Sequence, residues 1–108
     1  MLLEVKSVSK VVEGYGFFPD AVTERGRHHL ELLADLSGRD GWSASVLFVV
    51  QRPDALAVTA DEKADAAFTA VFRRAMREGV RFFARRCRVT TSYVELGAPI
   101  PVTPTPGP

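Results

Sequence analysis

Cysteine is almost missing from this sequence. Its 108 residues contain a single cysteine, Cys87, so an internal disulfide is excluded. Cysteine and histidine residues do not occur together at the spacing of a zinc site, and zinc binding is therefore not expected. A lone thiol is typical of a protein that works in a reducing compartment, which predicts a cytoplasmic location.

Long apolar runs are missing as well. No stretch reaches the roughly 18 consecutive apolar residues that a transmembrane helix needs. The first residues also lack the basic and then apolar pattern of a secretory signal. We therefore expect no association with a membrane. Hydrophobic residues make up 46% of the sequence, which is sufficient for one globular domain with a modest core.

The sequence also lacks an excess of acidic or of basic residues. The 14 basic and 13 acidic residues leave a formal net charge of +1, which gives no general attraction to nucleic acid. Half of the basic residues are nevertheless clustered, and on one face they could follow a phosphate backbone. The alternative is an ordinary solvated helix face and strand edge, which we favour slightly because scattered Asp and Glu residues balance the charge. The cluster contains Arg73, Arg74, Arg77, Arg81, Arg85, Arg86 and Arg88.

Alternating apolar segments predict a mixed α/β fold. The continuously apolar run 46–50 predicts a central parallel strand that is covered on both faces. The end of the sequence, from Pro99 to Pro108, has five prolines and no charge. We expect a domain over residues 1–102 and disorder over residues 103–108. Strands are predicted over residues 2–12, 15–18, 42–50, 80–89 and 93–96. One helix is predicted to open on Thr23-Glu24-Arg25-Gly26 and to run to about Leu36, and another to run from Asp61 to a Gly79 C-cap.

A charged pair in the first predicted strand is the main candidate for chemistry. Because strand side chains alternate, Glu4 and Lys6 point to one side while Leu3 and Val5 point to the other. A carboxylate could hold a divalent cation there, and a lysine could orient a water molecule or stabilise charge on a scissile phosphate. Glu-x-Lys alone is a weak signal, since charged residues alternate on any half-buried strand.

Several other blocks of sequence, in the same order, resemble the bacterial sugar fermentation stimulation protein A family. The similarity extends over about residues 3–102 and so covers nearly the whole sequence. The matching blocks are Glu4-Val5-Lys6-Ser7-Val8, Phe18-Pro19-Asp20-Ala21-Val22-Thr23-Glu24-Arg25-Gly26, His29-Leu30, Leu47-Phe48-Val49-Val50-Gln51-Arg52, Gly79-Val80, Cys87 and Pro99-Ile100-Pro101-Val102.

This resemblance implies a restriction-endonuclease-like domain of the PD-(D/E)XK type, a mixed sheet flanked by two helices. The family is described as nucleic-acid binding, with metal-dependent nuclease activity suggested for this domain. The resemblance therefore implies Glu4 and Lys6 as catalytic residues, and Glu4 as the ligand of Mg²⁺ or Mn²⁺. The family's first catalytic aspartate lies on a preceding strand in a Ser-Arg-Ile-Asp-like stretch, which is not found here. We expect a fold that is incomplete at its N-terminal side, with impaired hydrolysis.

Four further residues are predicted to contact a nucleic-acid substrate. Arg25 and His29 lie one turn apart on the first predicted helix and can face Glu4 together. His29 also matches the family's Arg-Gly-x-Lys-His-Leu pattern. Gln51 and Arg52 follow the carboxyl end of the central strand, where ligands frequently bind. Polar residues before a proline, such as Gln51 and Arg52, are also common at the ends of strands that bind no ligand. Arg25 could equally form an ordinary surface salt bridge.

Asp20 is the nearest residue that could replace the aspartate of the family, but its position before Thr23 and Glu24 favours helix capping. The sequence thus predicts a nuclease-like, DNA-binding domain. Two alternatives stay open: a non-catalytic DNA-binding module that regulates sugar metabolism genes, and an orphan domain without activity. In either case, a sheet edge left unpaired by the missing strand would promote a homodimer.

Overall fold

The computed structural model describes residues 1–106, without the side chains of Asp40 and Val89. Its regular elements confirm the predicted mixed α/β class, with two helices and strands in both orientations. The strands are β1 (Leu2–Val8), β2 (Lys10–Val12), β3 (Tyr15–Phe18), β4 (Ala44–Val50), β5 (Ala57–Ala60), β6 (Arg81–Val89) and β7 (Val94–Ile100), and the helices are α1 (Glu24–Leu36) and α2 (Ala66–Arg77).

The strands form a four-stranded and a three-stranded sheet. The larger sheet has the order β1-β4-β6-β7, in which β1, β4 and β6 are parallel and β7 is antiparallel to β6. The smaller sheet has the order β2-β3-β5, with β3 antiparallel to β2 and parallel to β5. The parallel strands are separated along the chain by helical segments, as a parallel connection requires.

Both helices pack on the same face of the larger sheet. Leu30 and Leu33 of α1 are buried against it, and Phe72 of α2 is fully buried. The Phe72 ring meets Phe82 of β6 edge to face, with 4.9 Å between the ring centroids. Phe82 in turn stacks on Phe48 of β4 at 6.2 Å. These rings lie in the middle of the sheet, within a core that is otherwise mainly aliphatic.

The opposite face of the larger sheet is open, so the prediction that β4 is covered on both faces is wrong. Side chains of β4 alternate between the two faces, and those at 47 and 49 are only half-buried. Leu3 and Val5 of β1 are 53% and 55% exposed on this open side, and Phe83 of β6 is 49% exposed. The continuous apolar run therefore belongs to a strand with one helix-covered face and one bare apolar face.

Several predicted boundaries are wrong for local reasons. The long first strand of the prediction is divided into two strands, β1 and β2. Strand β2 pairs with β3 instead of continuing β1, and Glu13 and Gly14, at φ +50° and +85°, form the turn between β2 and β3. Strand β5 was not predicted, because its four residues follow a proline turn and are too few for a pattern. Strand β7 runs to Ile100 rather than to Leu96.

Helix α1 begins at the predicted Thr23-Glu24-Arg25-Gly26 opening, whereas α2 begins later than predicted because Asp65 caps it. Thr23, not Asp20, is the N-cap of α1, and its Oγ1 accepts from the backbone N of Gly26 at 3.0 Å. Asp65, not Asp61, is the N-cap of α2, and accepts from the backbone N of Phe68 at 2.9 Å. Asp65 also accepts from the backbone N of Thr23 at 2.9 Å, so one carboxylate joins the starts of both helices.

Gly26 lies in the first turn of α1, where a Cβ atom would lie 2.8 Å from Thr23 Oγ1. Glycine here therefore preserves the cap of α1. Gly79, by contrast, has the left-handed φ of +99° that its predicted place after α2 requires.

The segment after β7 contacts the smaller sheet. The backbone N of Thr103 donates to the Val58 carbonyl at 2.9 Å, and Thr59 Oγ1 donates to the Thr103 carbonyl at 2.8 Å. Arg73 Nε donates to the Pro104 carbonyl at 3.0 Å. The first residues of the predicted disordered tail thus have defined contacts, and residues 107–108 lie outside the described residues. Neither helix within residues 1–106 has the length and apolar character needed to cross a membrane.

Candidate nucleic-acid site on the first strand

Glu4 and Lys6 lie on the helix-covered side of β1, as strand alternation predicts. They are level with Val46 and Phe48 of the neighbouring strand, whose side chains are buried in the core. The Lys6 ammonium lies 2.9 Å from Glu4 Oε1, and the two side chains are 21% and 33% exposed. A charged pair at the margin of an apolar core is costly unless its members satisfy each other, and this one does.

His29 completes a cluster of three side chains, which we call the Glu4 cluster (Glu4, Lys6 and His29). Its Nδ1 lies 3.5 Å from Glu4 Oε1 and is buried without a hydrogen-bond partner among the described residues. Helix α1 positions this ring, since Leu30 and Leu33 fix its apolar face on the sheet. The sequence predicted that His29 and Glu4 face one another, and the structure brings them together.

The electrostatics of the Glu4 cluster favour a charged carboxylate. The hydrogen bond from Lys6 lowers the pKa of Glu4 below its ordinary value, against an opposing effect of partial burial. The charges of Lys6 and His29 lower this pKa further. Glu4 is therefore an anion at neutral pH, as a metal ligand or a partner for a cationic group must be.

The space beside the Glu4 cluster is small. The cavity between β1 and the helices has a volume of about 10 Å³, room for about one water molecule. Its inner wall is apolar, formed mainly by Leu30, Leu33, Val46, Phe48, Phe68 and Phe82. A polymer therefore cannot enter this cavity and would have to meet Glu4 and Lys6 from their exposed side.

Of the other predicted contacts, Gln51 and Arg52 lie away from the Glu4 cluster. Arg25 lies on the exposed part of α1, one turn before His29. Gln51 follows β4, and its backbone N donates to the Val8 carbonyl at 3.4 Å. Because Lys6 is level with Phe48, Gln51 lies about 10 Å further along the strand direction.

Arg52 is engaged elsewhere. Its guanidinium makes a bidentate pair with Asp54, with Nη2 2.8 Å from Oδ2 and Nε 3.0 Å from Oδ1. Both side chains are about half exposed, and this hydrogen bonding lowers the pKa of Asp54. The role of Arg52 in binding a phosphate stays a prediction, and it requires this surface pair to open.

The arginine cluster of residues 73–88 does not form one face. Arg74 pairs with Asp35 at 3.0 Å and with Glu78 at 3.1 Å, whereas Arg85 donates to the Gly97 carbonyl. Arg86 donates to the Pro53 carbonyl at 3.2 Å. Strand β4 also separates the arginines of β6 from β1. The interpretation of these residues as surface and edge arginines, which we favoured slightly, agrees with these contacts.

The described residues do not form a complete site for a hard divalent cation. Within residues 1–106 there is no group of three His, Cys, Asp or Glu side chains that could hold a metal ion. Glu4 supplies one carboxylate, and its Oε1 is already bound to Lys6. Mg²⁺ prefers six oxygen ligands, so most of them would have to be phosphate oxygens and water.

The ion pair between Lys10 and Asp61 was not predicted from the sequence. Lys10 Nζ lies 2.6 Å from Asp61 Oδ2 and 5.8 Å from the centroid of the Phe17 ring. Burial raises the pKa of Asp61, but the hydrogen bonds from Lys10 and the backbone of Ala64 outweigh it, so the net shift is downward. The two partners are 51 residues apart, and no local pattern indicates such a contact.

Comparisons with known proteins decide the family. Residues 1–93 match the family model described as "Sugar fermentation stimulation protein RE domain". The chain belongs to the SfsA family. The resemblance seen in the sequence is thereby confirmed.

Curated SfsA relatives are longer than this chain. It is 46% identical to the sugar fermentation stimulation protein homolog of Chloroflexus aggregans, over 94% of this chain and 38% of the relative. It is 41% identical to the homolog of Moorella thermoacetica, over 93% of this chain and 43% of that protein. The chain therefore spans about two fifths of the length of these relatives.

A solved SfsA structure shares the fold. The structure of Pyrococcus furiosus SfsA in complex with Ca²⁺ matches with a TM-score of 0.84 and 24% sequence identity. The match covers 94% of this chain and 44% of the archaeal one. At this identity the likeness establishes the architecture of the SfsA domain and not the role of any residue.

Proposed function

We propose that this SfsA chain is a nuclease-like, nucleic-acid-binding domain whose phosphodiester hydrolysis is impaired. The observation that carries the proposal is the Glu4 cluster, which combines a carboxylate, a lysine and a histidine within 3.5 Å at a partly exposed strand. A carboxylate and a lysine side by side are the groups that a metal-assisted phosphate site needs. The cluster lies within the part of the chain that matches the family.

Binding of a phosphate backbone would use the cations of the cluster. Lys6 has three N–H donors, of which Glu4 needs one, so the ammonium can donate to a phosphate oxygen at its exposed side. Arg25, exposed on the same helix as His29, can add a second cationic contact. Such contacts do not depend on base identity and weaken as salt is added.

Of the described residues, Glu4 would hold Mg²⁺ or Mn²⁺ if either ion binds together with the nucleic acid. Ca²⁺ in the Pyrococcus furiosus SfsA structure supports a divalent-cation site in this family. A divalent ion supplies charge that neutralises phosphate oxygens. Glu4 is a single carboxylate, which is too few ligands for the described residues to bind a divalent cation tightly. A low rate of phosphodiester hydrolysis follows from this lack of ligands.

Fluorescence anisotropy with labelled DNA tests the binding proposal. We expect Lys6→Ala to raise the Kd for single-stranded or duplex DNA about fivefold, since one phosphate contact is lost. Lys63→Ala removes an equally charged, exposed side chain from another part of the surface and should leave the Kd within twofold. Circular dichroism confirms that both variants fold. Equal effects of the two variants would show that only the overall charge matters and would overturn the proposal.

A gel assay of end-labelled DNA with Mn²⁺ tests the impairment. We expect no cleavage over hours at an excess of the folded chain. Cleavage that a chelator and Glu4→Gln both abolish would show a working nuclease and contradict this part of the proposal.

The non-catalytic module is the second candidate, and the ion pair within the cluster favours it. Lys6 occupies the Glu4 oxygen that a metal would use. In that case Glu4 repels phosphate at every metal concentration, so Glu4→Gln would tighten DNA binding with or without Mn²⁺. The sign of this effect separates the two candidates. A cytoplasmic location stays a prediction under either.

A further inference from the structure

The outer face of the smaller sheet carries two aromatic rings side by side, which we call the aromatic platform (Tyr15 and Phe17). Side chains of β3 alternate, so Phe18 faces the core while Tyr15 and Phe17 face outward. The two ring centroids lie 6.2 Å apart, and both residues are only half-buried. Aromatic residues at alternate positions of a strand form an apolar surface on which another planar ring can stack.

A lysine of the neighbouring strand lies beside the aromatic platform. Lys10 is level with Phe17 in the antiparallel pairing of β2 with β3, and its Nζ lies 5.8 Å from the centroid of the Phe17 ring. The ammonium donates to Asp61 at 2.6 Å, and the lysine side chain is 45% exposed. Because an ammonium has three N–H donors, Lys10 keeps donors for an anionic group that approaches Phe17.

A groove of about 520 Å³ lies along the Phe17 ring, within the size range of sites for small ligands. The two acidic side chains that line it are both paired. Asp61 binds Lys10, and Glu62 lies 3.2 Å from a guanidinium nitrogen of Arg73. The groove can therefore take a planar ring with a phosphate attached, without an unpaired carboxylate beside that phosphate.

We propose that the aromatic platform stacks on an unpaired base of a single-stranded nucleic acid, and that Lys10 donates to the phosphate of that nucleotide. The proposal rests on the proposed nucleic-acid function and names single strands as its preferred ligand. The bases of a duplex stack on one another, and a protein ring can reach them only after unpairing. The bases of a single strand are free to lie on Phe17.

The aromatic platform is close enough to the Glu4 cluster for one strand to reach both. Lys6 and Lys10 are four residues apart, so their Cα atoms are separated by at most about 14 Å. A few nucleotides span this distance. Both lysines and both rings lie within the segment that matches the family model. A single strand with a phosphate at Lys6 can therefore place a nearby base on Phe17.

Fluorescence anisotropy with a labelled thymidine oligomer and a labelled duplex tests the aromatic platform. We expect Phe17→Leu to raise the Kd for the oligomer about tenfold and to leave the Kd for the duplex within twofold. Phe83→Leu changes an exposed ring on the open face of the larger sheet and should leave both Kd values within twofold. Circular dichroism confirms that both variants fold. Equal effects of the two variants on the oligomer would overturn the proposal.

Salt dependence separates stacking from charge. Phosphate contacts weaken as salt is added, whereas stacking on a ring is not ionic. The factor by which Phe17→Leu raises the Kd for the oligomer should therefore be the same at low and at high salt, while the factor for Lys6→Ala should shrink. A factor for Phe17→Leu that shrinks as that for Lys6→Ala does would contradict stacking.

A tryptophan at position 17 reports the stacking directly. Trp42 is the only tryptophan of the chain, so Phe17→Trp in a Trp42→Phe background has a single indole. We expect the oligomer to bind this variant as tightly as the unmodified chain and to quench the indole fluorescence, and the duplex to leave it unchanged. An unquenched indole at saturating oligomer would overturn the proposal.

The same titrations distinguish failure of this proposal from failure of the proposed function. If Lys6→Ala weakens binding while Phe17→Leu behaves like Phe83→Leu, the aromatic platform is overturned and the nucleic-acid function stands. If the unmodified chain binds neither form of DNA, both are overturned. Self-association that Phe17→Leu abolishes, with no change in DNA affinity, would assign this face to a protein contact and overturn the proposal.

Discussion

His29 Nδ1 lies 3.5 Å from Glu4 Oε1, across the gap between helix α1 and strand β1. The contact joins two elements 25 residues apart at the margin of the core. It depends on a chain of local causes: Thr23 caps α1, Gly26 leaves room for that cap, and Leu30 and Leu33 fix the helix on the sheet. The position of His29 in the Glu4 cluster therefore depends on the packing and capping of α1.

Replacement of Lys6 should change the titration of Glu4. Its hydrogen bond is the first cause of the lowered pKa, so Lys6→Met should raise the Glu4 pKa towards its ordinary value of 4.5. Carboxyl-carbon NMR of the two proteins would measure this. In the unmodified chain, the lowered pKa contributes stability above the ordinary value, and this contribution disappears as the pH falls through the folded-state pKa. His29→Gln is the control and should have a smaller effect.

Asp65 should be the most sensitive polar residue of the fold. Asp65→Ala removes the cap of α2 and the bond to Thr23, and we expect a loss of about 2 kcal/mol in the free energy of unfolding. Asp65→Asn should lose less, because its amide oxygen can still accept one of these bonds. Urea titration measures both. Asp54→Ala removes an exposed carboxylate and should stay within about 0.5 kcal/mol of the unmodified chain.

The lowered pKa of Asp65 adds a pH dependence to this effect. The backbone N–H of Thr23, followed by that of Phe68, stabilises its charged form. The contribution is complete above the unfolded value of about 3.8 and is lost as the pH falls through the lower folded-state value. The stability difference between the unmodified chain and Asp65→Ala should therefore narrow below about pH 4. A difference that widens on acidification would contradict the assignment.

Shortening a side chain should destabilise the protein more on the helix-covered face of the larger sheet than on its open face. Phe72→Ala empties a fully buried position and should cost about 3–5 kcal/mol. Phe83→Ala removes a ring that is 49% exposed on the open face, and should cost about 1 kcal/mol or less. Thermal or urea unfolding of the two variants compares them directly. Equal losses would show that the open face is covered in solution.

The effect of Gly26→Ala on the free energy of unfolding should change sign when Thr23 is replaced. Alanine favours helix by about 1 kcal/mol, but its Cβ would displace the Thr23 hydroxyl and with it the cap. Gly26→Ala should therefore destabilise the chain, whereas in a Thr23→Gly background the same change should stabilise it. A double-mutant cycle of unfolding free energies measures the coupling. Additive effects would contradict the role of Gly26 in capping.

Local patterns predicted much of this fold. Alternation in β1 put Glu4 and Lys6 on one side, and the glycine signal at Gly79 marked the end of α2. The pairing of His29 with Glu4 followed from the family pattern together with helix periodicity. Strand alternation and helix periodicity are periods of two and 3.6 residues, which a sequence displays directly.

Long-range choices were not predictable in the same way. The hydrogen bond from Thr23 to Asp65 joins residues 42 positions apart, and the ion pair of Lys10 with Asp61 joins residues 51 positions apart. From the sequence alone, Asp61 and Asp65 were both possible N-caps of α2. The open face of β4 was missed because an apolar run is the same whether one or two layers cover it. The alternatives differ only in tertiary contacts, which the sequence does not display.

The affinity for DNA with and without Mn²⁺, measured for the unmodified chain and for Glu4→Gln, tests the central claim most directly. If Glu4 holds a divalent ion when nucleic acid binds, Mn²⁺ should lower the Kd of the unmodified chain about fivefold and leave that of Glu4→Gln unchanged. Glu95→Gln, an exposed acidic residue of β7, should respond like the unmodified chain. Tighter binding by Glu4→Gln at every Mn²⁺ concentration would contradict the account, because Glu4 would then act only as a negative charge.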